Sequence, residues 1–509
     1  MTDLDGRDPS RRAGRPLQGF LGQLDFPAPA QPKKALAGER VDPLGEFGIG
    51  EARGSPECPD PLGWKGRAAG LGEPVTQRAE KGVGVQGELL RATGSARHSS
   101  RNGGGCGSSH PTVPPGAIAI GRRHEAAAGG EREEGRVGRV RILSGLFAKG
   151  PAAVLVETGG ARLLLDLGRG PEPGAEAPLD GVGRVDAVLL THGHVDHAGA
   201  LDRLGELGHP LVWATAELRA LRTLPPGGTL PLSGTVEIAG LSVATGRAGH
   251  APGGVWLHLA IGEGLLYTGD LFDRSEVWAL DPPPPAATLL LDASYGLDPI
   301  PLDQRRAALL EALDRPRVLL PAPADGRGPE LLLFLSEATG RVPVLCPRTR
   351  ERLARTLATA RASLRPGIAE RLAALLEAAP PWSEDPPGVV IAEGAKLDGG
   401  PAALLARAWC ERGDARIVLT GHVPRGSPAR ALLERGAAVH RRWPVHPDRA
   451  TLERLVARVR PRRIVPLFDP APDRTAWEQA FPGVAIVLDR TVEVDREGTG
   501  RHATVTAGF

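Results

Sequence analysis

The sequence predicts an α/β protein, an αββα sandwich followed by a parallel α/β segment, and three observations carry that reading. From Arg139 the chain breaks into short apolar runs of β type. From about residue 300 such runs alternate with helical patterns, as parallel strands with crossover helices do. Histidines and aspartates stand at the ends of several apolar runs, where loops above a sheet gather ligands.

Residues 1–137 are punctuated by Gly, Pro, Ser and Arg, with NGGGCGSSHPTVPPG as the extreme, and sustain no apolar periodicity. Such a stretch buries too little apolar surface to offset chain entropy, so it reads as a disordered or mis-annotated N-terminal extension. The runs RVRIL, AAVLVE, RLLLD, DAVLL, PLVWA, SVAT, VWLHLAI, GLLYT and TLLLD follow as strands. Two of them join through Thr158-Gly159-Gly160, a hairpin turn. Helices fit GALDRLGEL and TAELRALRTL, with Thr215 as N-cap of the second. Beyond residue 300 come LDQRRAALLEAL, RVLLP, GPELLLFLSEAT, VPVLC, RTRERLARTLATARASL, GVVIA, PAALLARAWCER, ARIVLTG and PARALLERG. The helix ATLERLVARVR and strand RIVPLF then return to the sandwich.

The run Thr191-His192-Gly193-His194-Val195-Asp196-His197 packs three imidazoles and a carboxylate into six residues after an apolar strand. Imidazole nitrogen and carboxylate oxygen suit zinc, and a tight loop can present them in two directions to two adjacent ions. Gly193 is expected to permit a sharp turn that points Asp196 and His197 away from His192 and His194. A polar surface turn would have little use for this density of histidine. His250, Asp270 and Asp292 each close a later apolar segment. Singly, an aspartate after a strand is a helix or turn cap more often than a ligand. Their order and spacing together set them apart.

LLLDLG (Asp166), the H-x-H-x-D-H run, AGHAPGG (His250) and YTGDLF (Asp270) resemble, in order, the first four motifs of the metallo-β-lactamase fold. LLLDASYG, VLLPAPADGRGPELLLFL, VVIAEGAKLDGGPA, IVLTGHVPRGSPAR and WPVHPDR resemble its β-CASP branch, the nucleases related to ribonuclease J and to mRNA 3′-end processing. The resemblance covers about 139 to 470. It implies a metallo-β-lactamase αββα sandwich over 138–300, an inserted β-CASP parallel α/β domain over 301–440, and a return to the first domain over 441–509.

By the same resemblance His192, His194 and His250 hold one zinc, Asp196 and His197 the second, and Asp270 bridges, with Asp166 a positioning residue. Asp196, Asp292 and His446 are the expected catalytic residues, the last two as a general-acid pair near the leaving oxygen. A carboxylate behind an imidazole orients the ring for proton transfer. Gly421, Gly426 and Ser427, beside His422, are expected to leave N–H groups free for a phosphate. The pattern departs at its end, where Phe468 replaces the family's final histidine. A phenyl ring cannot ligate, which implies one tight zinc site and a weakened second one that manganese also suits, unless Asp469 or water substitutes.

The implied function is zinc-dependent hydrolysis of phosphodiester bonds in single-stranded nucleic acid, with RNA favoured. Phe468 keeps a DNA-acting exonuclease open, and a catalytically impaired binding subunit of a processing complex is the reading from another class. Small-molecule hydrolases of the superfamily share the first four motifs but lack the inserted domain. A homodimer is open. Lys+Arg number 62 and Asp+Glu 60, so bulk charge gives nucleic-acid binding no support. Cys58, Cys106, Cys346 and Cys410 lie far apart and form no C-x-x-C pair, so neither a disulfide framework nor a thiolate zinc site is indicated and a reducing compartment is expected. No run approaches the roughly 20 apolar residues of a spanning helix, and the expectation is a soluble cytoplasmic protein without membrane association.

Overall fold

A computed structural model describes residues 137–494, and the expectation for the N-terminal extension falls on residues outside that range. The described chain opens with β1 (Gly138–Ser144), β2 (Ala153–Thr158), β3 (Ala161–Leu165), β4 (Ala187–Leu189), α1 (Val195–Ala198), β5 (Leu211–Thr215), α2 (Ala216–Leu221) and β6 (Thr229–Leu230). It continues through β7 (Gly234–Ile238), β8 (Leu241–Arg247), β9 (Val255–Leu259), β10 (Leu265–Tyr267) and β11 (Thr288–Asp292). Then follow α3 (Leu302–Glu311), β12 (Arg317–Pro321), α4 (Arg327–Thr339), β13 (Val344–Leu345), α5 (Pro347–Thr359), α6 (Ile368–Ala378), β14 (Gly388–Ala392), α7 (Gly400–Arg412), β15 (Ala415–Leu419), α8 (Pro428–Glu434) and β16 (Ala438–His440). The last part holds α9 (Arg449–Val459), β17 (Arg463–Leu467), α10 (Arg474–Ala480), β18 (Ala485–Ile486) and β19 (Thr491–Val494).

Two sheets, ordered β19-β1-β2-β3-β4-β5-β6 and β18-β17-β11-β10-β9-β8-β7, face each other. Side-chain alternation assigns the layers even where strands are wholly apolar. Leu163 and Leu165 point into the inter-sheet core and Leu164 to the outer layer. Leu290 likewise joins the inter-sheet core, while Leu289 and Leu291 pack with Leu452, Leu455 and Trp477 of the outer helices α9 and α10. The hairpin forms as expected, with Thr158 pairing Ala161 across the two glycines. Thr215 caps α2, its side chain accepting from Leu218 N. GALDRLGEL, expected as an α-helix, winds instead as a 3-10 helix over Leu201–Leu207.

The third sheet is parallel throughout, ordered β13-β14-β12-β15-β16. Val318 and Leu320 pack under Leu309, Leu331, Leu353 and Leu372 from α3 to α6, and Leu319 meets Leu405, Trp409 and Leu432 of α7 and α8 on the other face. The sequence reading passes over α6 and runs α5 on to residue 364. The helix stops earlier because the next residues are claimed by segment 277–279. Ala279 N donates to Ser363 O at 2.9 Å, Arg365 N donates to Val277 O at 2.9 Å, and Trp278 bridges Leu364.

Packing therefore crosses the division drawn at residue 300, because Val277 and Trp278 lie in the core under the parallel sheet. The two bodies are also joined at α2, where Arg352 donates to Leu221 O at 2.7 Å and Arg355 to Ala220 O at 2.9 Å. Cations at the last carbonyls of a helix satisfy groups with no intrahelical partner and complement its dipole.

Trp278 is 1% exposed and its Nε1 donates to Gly326 O at 3.0 Å. Trp278→Ala should destabilise the protein by about 3–5 kcal/mol in urea unfolding, through a cavity and an unpartnered carbonyl.

Candidate metal centre and cleft

Every candidate ligand sits just beyond the C-terminal end of a strand. β10, β11 and β17 are parallel neighbours, so Asp270, Asp292 and Phe468 leave the sheet side by side. β3 and β4 are parallel in the opposite sheet and deliver Asp166 and the 191–197 loop to the same edge. The loop is held by its neighbours' amides, with Ala152 N on Asp196 O at 2.8 Å, Arg169 N on Val195 O at 2.9 Å and Leu167 N on His197 O at 2.9 Å. A Cβ on Gly168 would lie 1.7 Å from Asp196 O, so only glycine permits this approach. Gly193 is not among the residues with positive φ. Its role is close packing, since a Cβ there would meet Leu218 and Arg222 at 2.7 Å.

Asp166 is fully buried. It accepts from Thr191 N, Thr191 Oγ1 and Tyr267 OH, each at 2.8 Å, and from His197 Nδ1 at 2.7 Å. Thr191 Oγ1, its proton given to Asp166, lies 3.2 Å from His192 Nδ1, which sends His192 Nε2 toward the cleft. His250 Nδ1 donates to Val445 O at 2.7 Å and aims Nε2 the same way.

Three ring nitrogens converge as a result: His194 Nδ1 is 3.0 Å from His192 Nε2 and 3.1 Å from His250 Nε2. Asp270 Oδ2 lies 3.7 Å from the first of these partners and 3.4 Å from the second. The lone pairs of His192 Nε2 and His250 Nε2 converge on His194 Nδ1, and three imidazoles with one carboxylate are the donor set of a divalent metal site. Burial holds His192 well below its ordinary pKa, with His197 and His194 adding to the effect. Burial and His250 bring His194 down to about 3, and burial brings His250 down to about 4. All three rings are therefore unprotonated at neutral pH.

Asp196, His197 and Asp270 form a second group. Burial works against protonated His197, but Asp270 and Asp166 on its two sides hold its pKa well above the ordinary value. Burial also works against ionised Asp270, and His197, His446 and Lys149 overcome it. Asp196 is held ionised against burial by Lys149 and His197. Phe468 occupies the next place, its ring 5.3 Å from that of His197 in an edge contact. Asp469 does not substitute as a ligand: Oδ1 accepts from Ala471 N at 3.0 Å, and it belongs to no candidate ligand group among the described residues.

Asp292 and His446 are brought together from 154 positions apart, with His446 Nδ1 2.9 Å from Asp292 Oδ2. Asp292 also accepts from Leu271 N at 3.2 Å and from Ser294 N and Oγ at 3.0 and 2.6 Å. His446 Nδ1 is 3.7 Å from Asp270 Oδ2, which places the pair against the metal-type cluster. The loop expected to offer free amides is partly occupied. Ser427 N donates to Pro424 O, Ser427 Oγ caps α8, and Glu172 accepts from Arg425 N at 2.7 Å and pairs with His422 Nε2 at 2.8 Å.

His194, Asp196, His250, Asp270 and His446 line a cleft of about 420 Å³ between the sandwich and the parallel sheet with its helices. Eight of its lining residues are Lys or Arg and four are Asp or Glu, so a near-neutral chain carries a cationic cleft. Sequence reasoning missed Lys149, Tyr267 and Arg327 here. The side chain of Arg327 packs against Gly421, and its Nε is buried with no hydrogen-bond partner among the described residues. Lysine scarcity was the available signal, since Lys149 and Lys396 are the only lysines in 137–494 and both line this cleft.

Residues 148–322 match the family model of the metallo-beta-lactamase superfamily. Among curated proteins, the chain is 33% identical over 230 residues to "Ribonuclease TTHA0252" of Thermus thermophilus, covering 38% of this chain and 53% of that one. It is 30% identical over 250 residues to "Transcription termination factor FttA" of Methanocaldococcus jannaschii, covering 39% of each. It is 24% identical over 346 residues to "RNase aCSPSF2" of Saccharolobus solfataricus, covering 58% of this chain and 70% of that one. The matches thus span about half or less of the first two relatives' own length.

Asp166→Asn should weaken metal binding about 10–100-fold, because the ligand loop loses the acceptor that orients it. Competition against a chelator reads this, with circular dichroism to confirm the fold.

Acid should destabilise the metal-stripped protein. The rings of His192, His194 and His250 take up protons near pH 6.5 when unfolded but only near about 3 to 4, or well below 6.5, when folded, so stability falls as pH drops through that window. His197 has the opposite sign, its contribution being complete below pH 6.5 and lost only as pH rises through its elevated value. Urea unfolding at pH 5 should therefore show a loss of roughly 2 kcal/mol per depressed histidine relative to pH 7. Unchanged stability would contradict neutral, convergent rings.

Proposed function

From the chain's membership of the metallo-β-lactamase superfamily and its β-CASP branch, we propose that it is a zinc-dependent phosphodiesterase that hydrolyses single-stranded nucleic acid, with RNA as the favoured substrate. The observation that carries this reading is the His446–Asp292 pair, set against the His/Asp cluster at the floor of a cationic cleft roofed by a second domain. A roofed, arginine-lined cleft suits a polyanionic chain, and relatives named as ribonucleases favour RNA. The reading includes the domain division at 300 and 440 and a cytoplasmic setting.

His192, His194, His250 and Asp270 would hold the first zinc, and Asp196, His197 and Asp270 a weaker second ion, zinc or manganese. Such an ion supplies Lewis acidity and lowers the pKa of a water. The chain's own groups do the rest. Arg327 and Arg442 line the cleft and would fix the phosphate. Asp196, held ionised, accepts a proton from the attacking water. Asp292 accepts from His446 Nδ1, which leaves Nε2 to hand a proton to the departing 3′-oxygen.

His446→Ala should remove about 10²–10⁴-fold of the hydrolysis of single-stranded RNA while metal stays bound. Asp196→Ala should damage both. RNA, single-stranded DNA and a small ester belong in one assay with Zn²⁺ and Mn²⁺. Cleavage of DNA alone would promote the alternative that Phe468 keeps open, and faster turnover of the ester without nucleic-acid cleavage would sink the nuclease reading.

A further inference from the structure

The second ligand group lacks what a second ion needs. It offers Asp196, His197 and Asp270, and the adjoining place is closed by Phe468, which is 1% exposed. Asp469 is turned to Ala471. What faces these carboxylates is Lys149, whose side chain is 10% exposed, with Nζ 3.7 Å from Asp196 Oδ2 and 5.6 Å from the centre of the Phe468 ring. The phenyl ring that cannot ligate a metal presents its π-system to an ammonium. Lys149 stands just before β2, close to the 194–197 loop, since a Cβ on the next residue, Gly150, would lie 3.3 Å from Asp196 Cβ.

We propose that the Lys149 ammonium takes the place of a tightly held second metal ion, so that the site holds only one divalent ion tightly and presents Lys149 to the substrate phosphate as its second positive charge. Arginine serves almost everywhere else in this chain, and a lysine here fits the need for a compact point charge. A divalent ion on Asp196 and Asp270 and an ammonium 3.7 Å from Asp196 repel each other, so the ammonium weakens binding of the ion. The plainer alternative is a structural tie between Lys149 and Asp196 that holds the ligand loop and leaves metal stoichiometry alone. The phosphate contact rests on the nuclease reading, but the weakened binding of the second ion does not.

The test is metal counting on the full chain by native mass spectrometry and by titration with Zn²⁺ and Mn²⁺, with thermal melts to confirm folding. Wild type should hold one ion tightly. Lys149→Met should raise affinity for a second ion about tenfold or more, since it removes the competing charge. Lys149→Met/Phe468→His should hold two ions. Two tightly held ions in wild type, or second-ion affinity unchanged in Lys149→Met, would overturn the proposal. Inorganic phosphate supplies the other arm: its binding to the zinc-loaded protein should weaken in Lys149→Met, and unchanged phosphate binding would remove the second half of the proposal. None of these readouts depends on nucleic-acid cleavage, so a failed nuclease assay and a failed Lys149 assignment are told apart.

Discussion

Four donors converge on the carboxylate of Asp166, and the geometry of the site hangs on that convergence. The group is fully buried, where an ionised carboxylate without partners is strongly disfavoured. Its partners come from the end of β4, the 191–197 loop and Tyr267 of β10 in the opposite sheet, so one residue ties both sheets together at the ligand edge. Asp166 itself sits at φ 58°, a conformation that costs a non-glycine residue about 1–3 kcal/mol and persists only where its surroundings impose it. The strain is useful because it aims the side chain back under the loop. Thr191 then orients His192, and His197 is gripped on its buried side while its other nitrogen faces Asp270 at 3.1 Å.

The other half of the centre depends on the parallel domain. His446 lies on the segment between β16 and α9, and that segment is anchored from two sides. Tyr295 OH lies 3.3 Å from Trp443 O and accepts from Val445 N at 3.3 Å. Glu330 of α4 accepts from Trp443 Nε1 at 2.7 Å and from Ser275 Oγ at 2.5 Å. Burial pushes the Glu330 carboxyl up to about 7, even with these two donors and Arg327 nearby. Helix α4 thus fixes the segment that carries His446, and with it the His446–Asp292 pair, against the metal-type cluster. Val445 closes the circuit by accepting from His250. A shift of the parallel domain would move His446 and disturb a metal-type histidine at once.

Much of this was legible because it is local. His192, His194, Asp196 and His197 share one short loop, and His250, Asp270 and Asp292 each follow an apolar strand, so residue type and strand end sufficed to single them out. The Gly159-Gly160 turn followed from its dipeptide. What escaped depends on contacts between distant residues. The end of α5 is decided by pairing with 277–279, some 85 positions upstream, which no helical pattern contains. Gly193 was read for its conformational freedom, whereas its neighbours Leu218 and Arg222 explain it. Lys149 sits in an unremarkable stretch, LFAKG, and only the fold brings it to Asp196.

Net charge misled for a related reason. A total of +2 averages over surface pairs that cancel one another, such as Arg203 with Glu206 and Arg462 with Glu263. Exposed pairs of this kind contribute little to stability and nothing to a distant field. Inside the cleft the balance differs, because burial removes water's screening and Arg327 keeps an unpartnered Nε beside Gly421. With so little long-range field, attraction of a polyanion acts only within roughly 8–10 Å at physiological salt. Under the proposed function, recognition comes from a chain entering the cleft, where Lys149 stands 3.7 Å from Asp196 and His446 3.7 Å from Asp270. The packing of the parallel sheet and its helices against the sandwich matters for that reason: it encloses the space in which six arginines and two lysines outweigh the chain's overall neutrality.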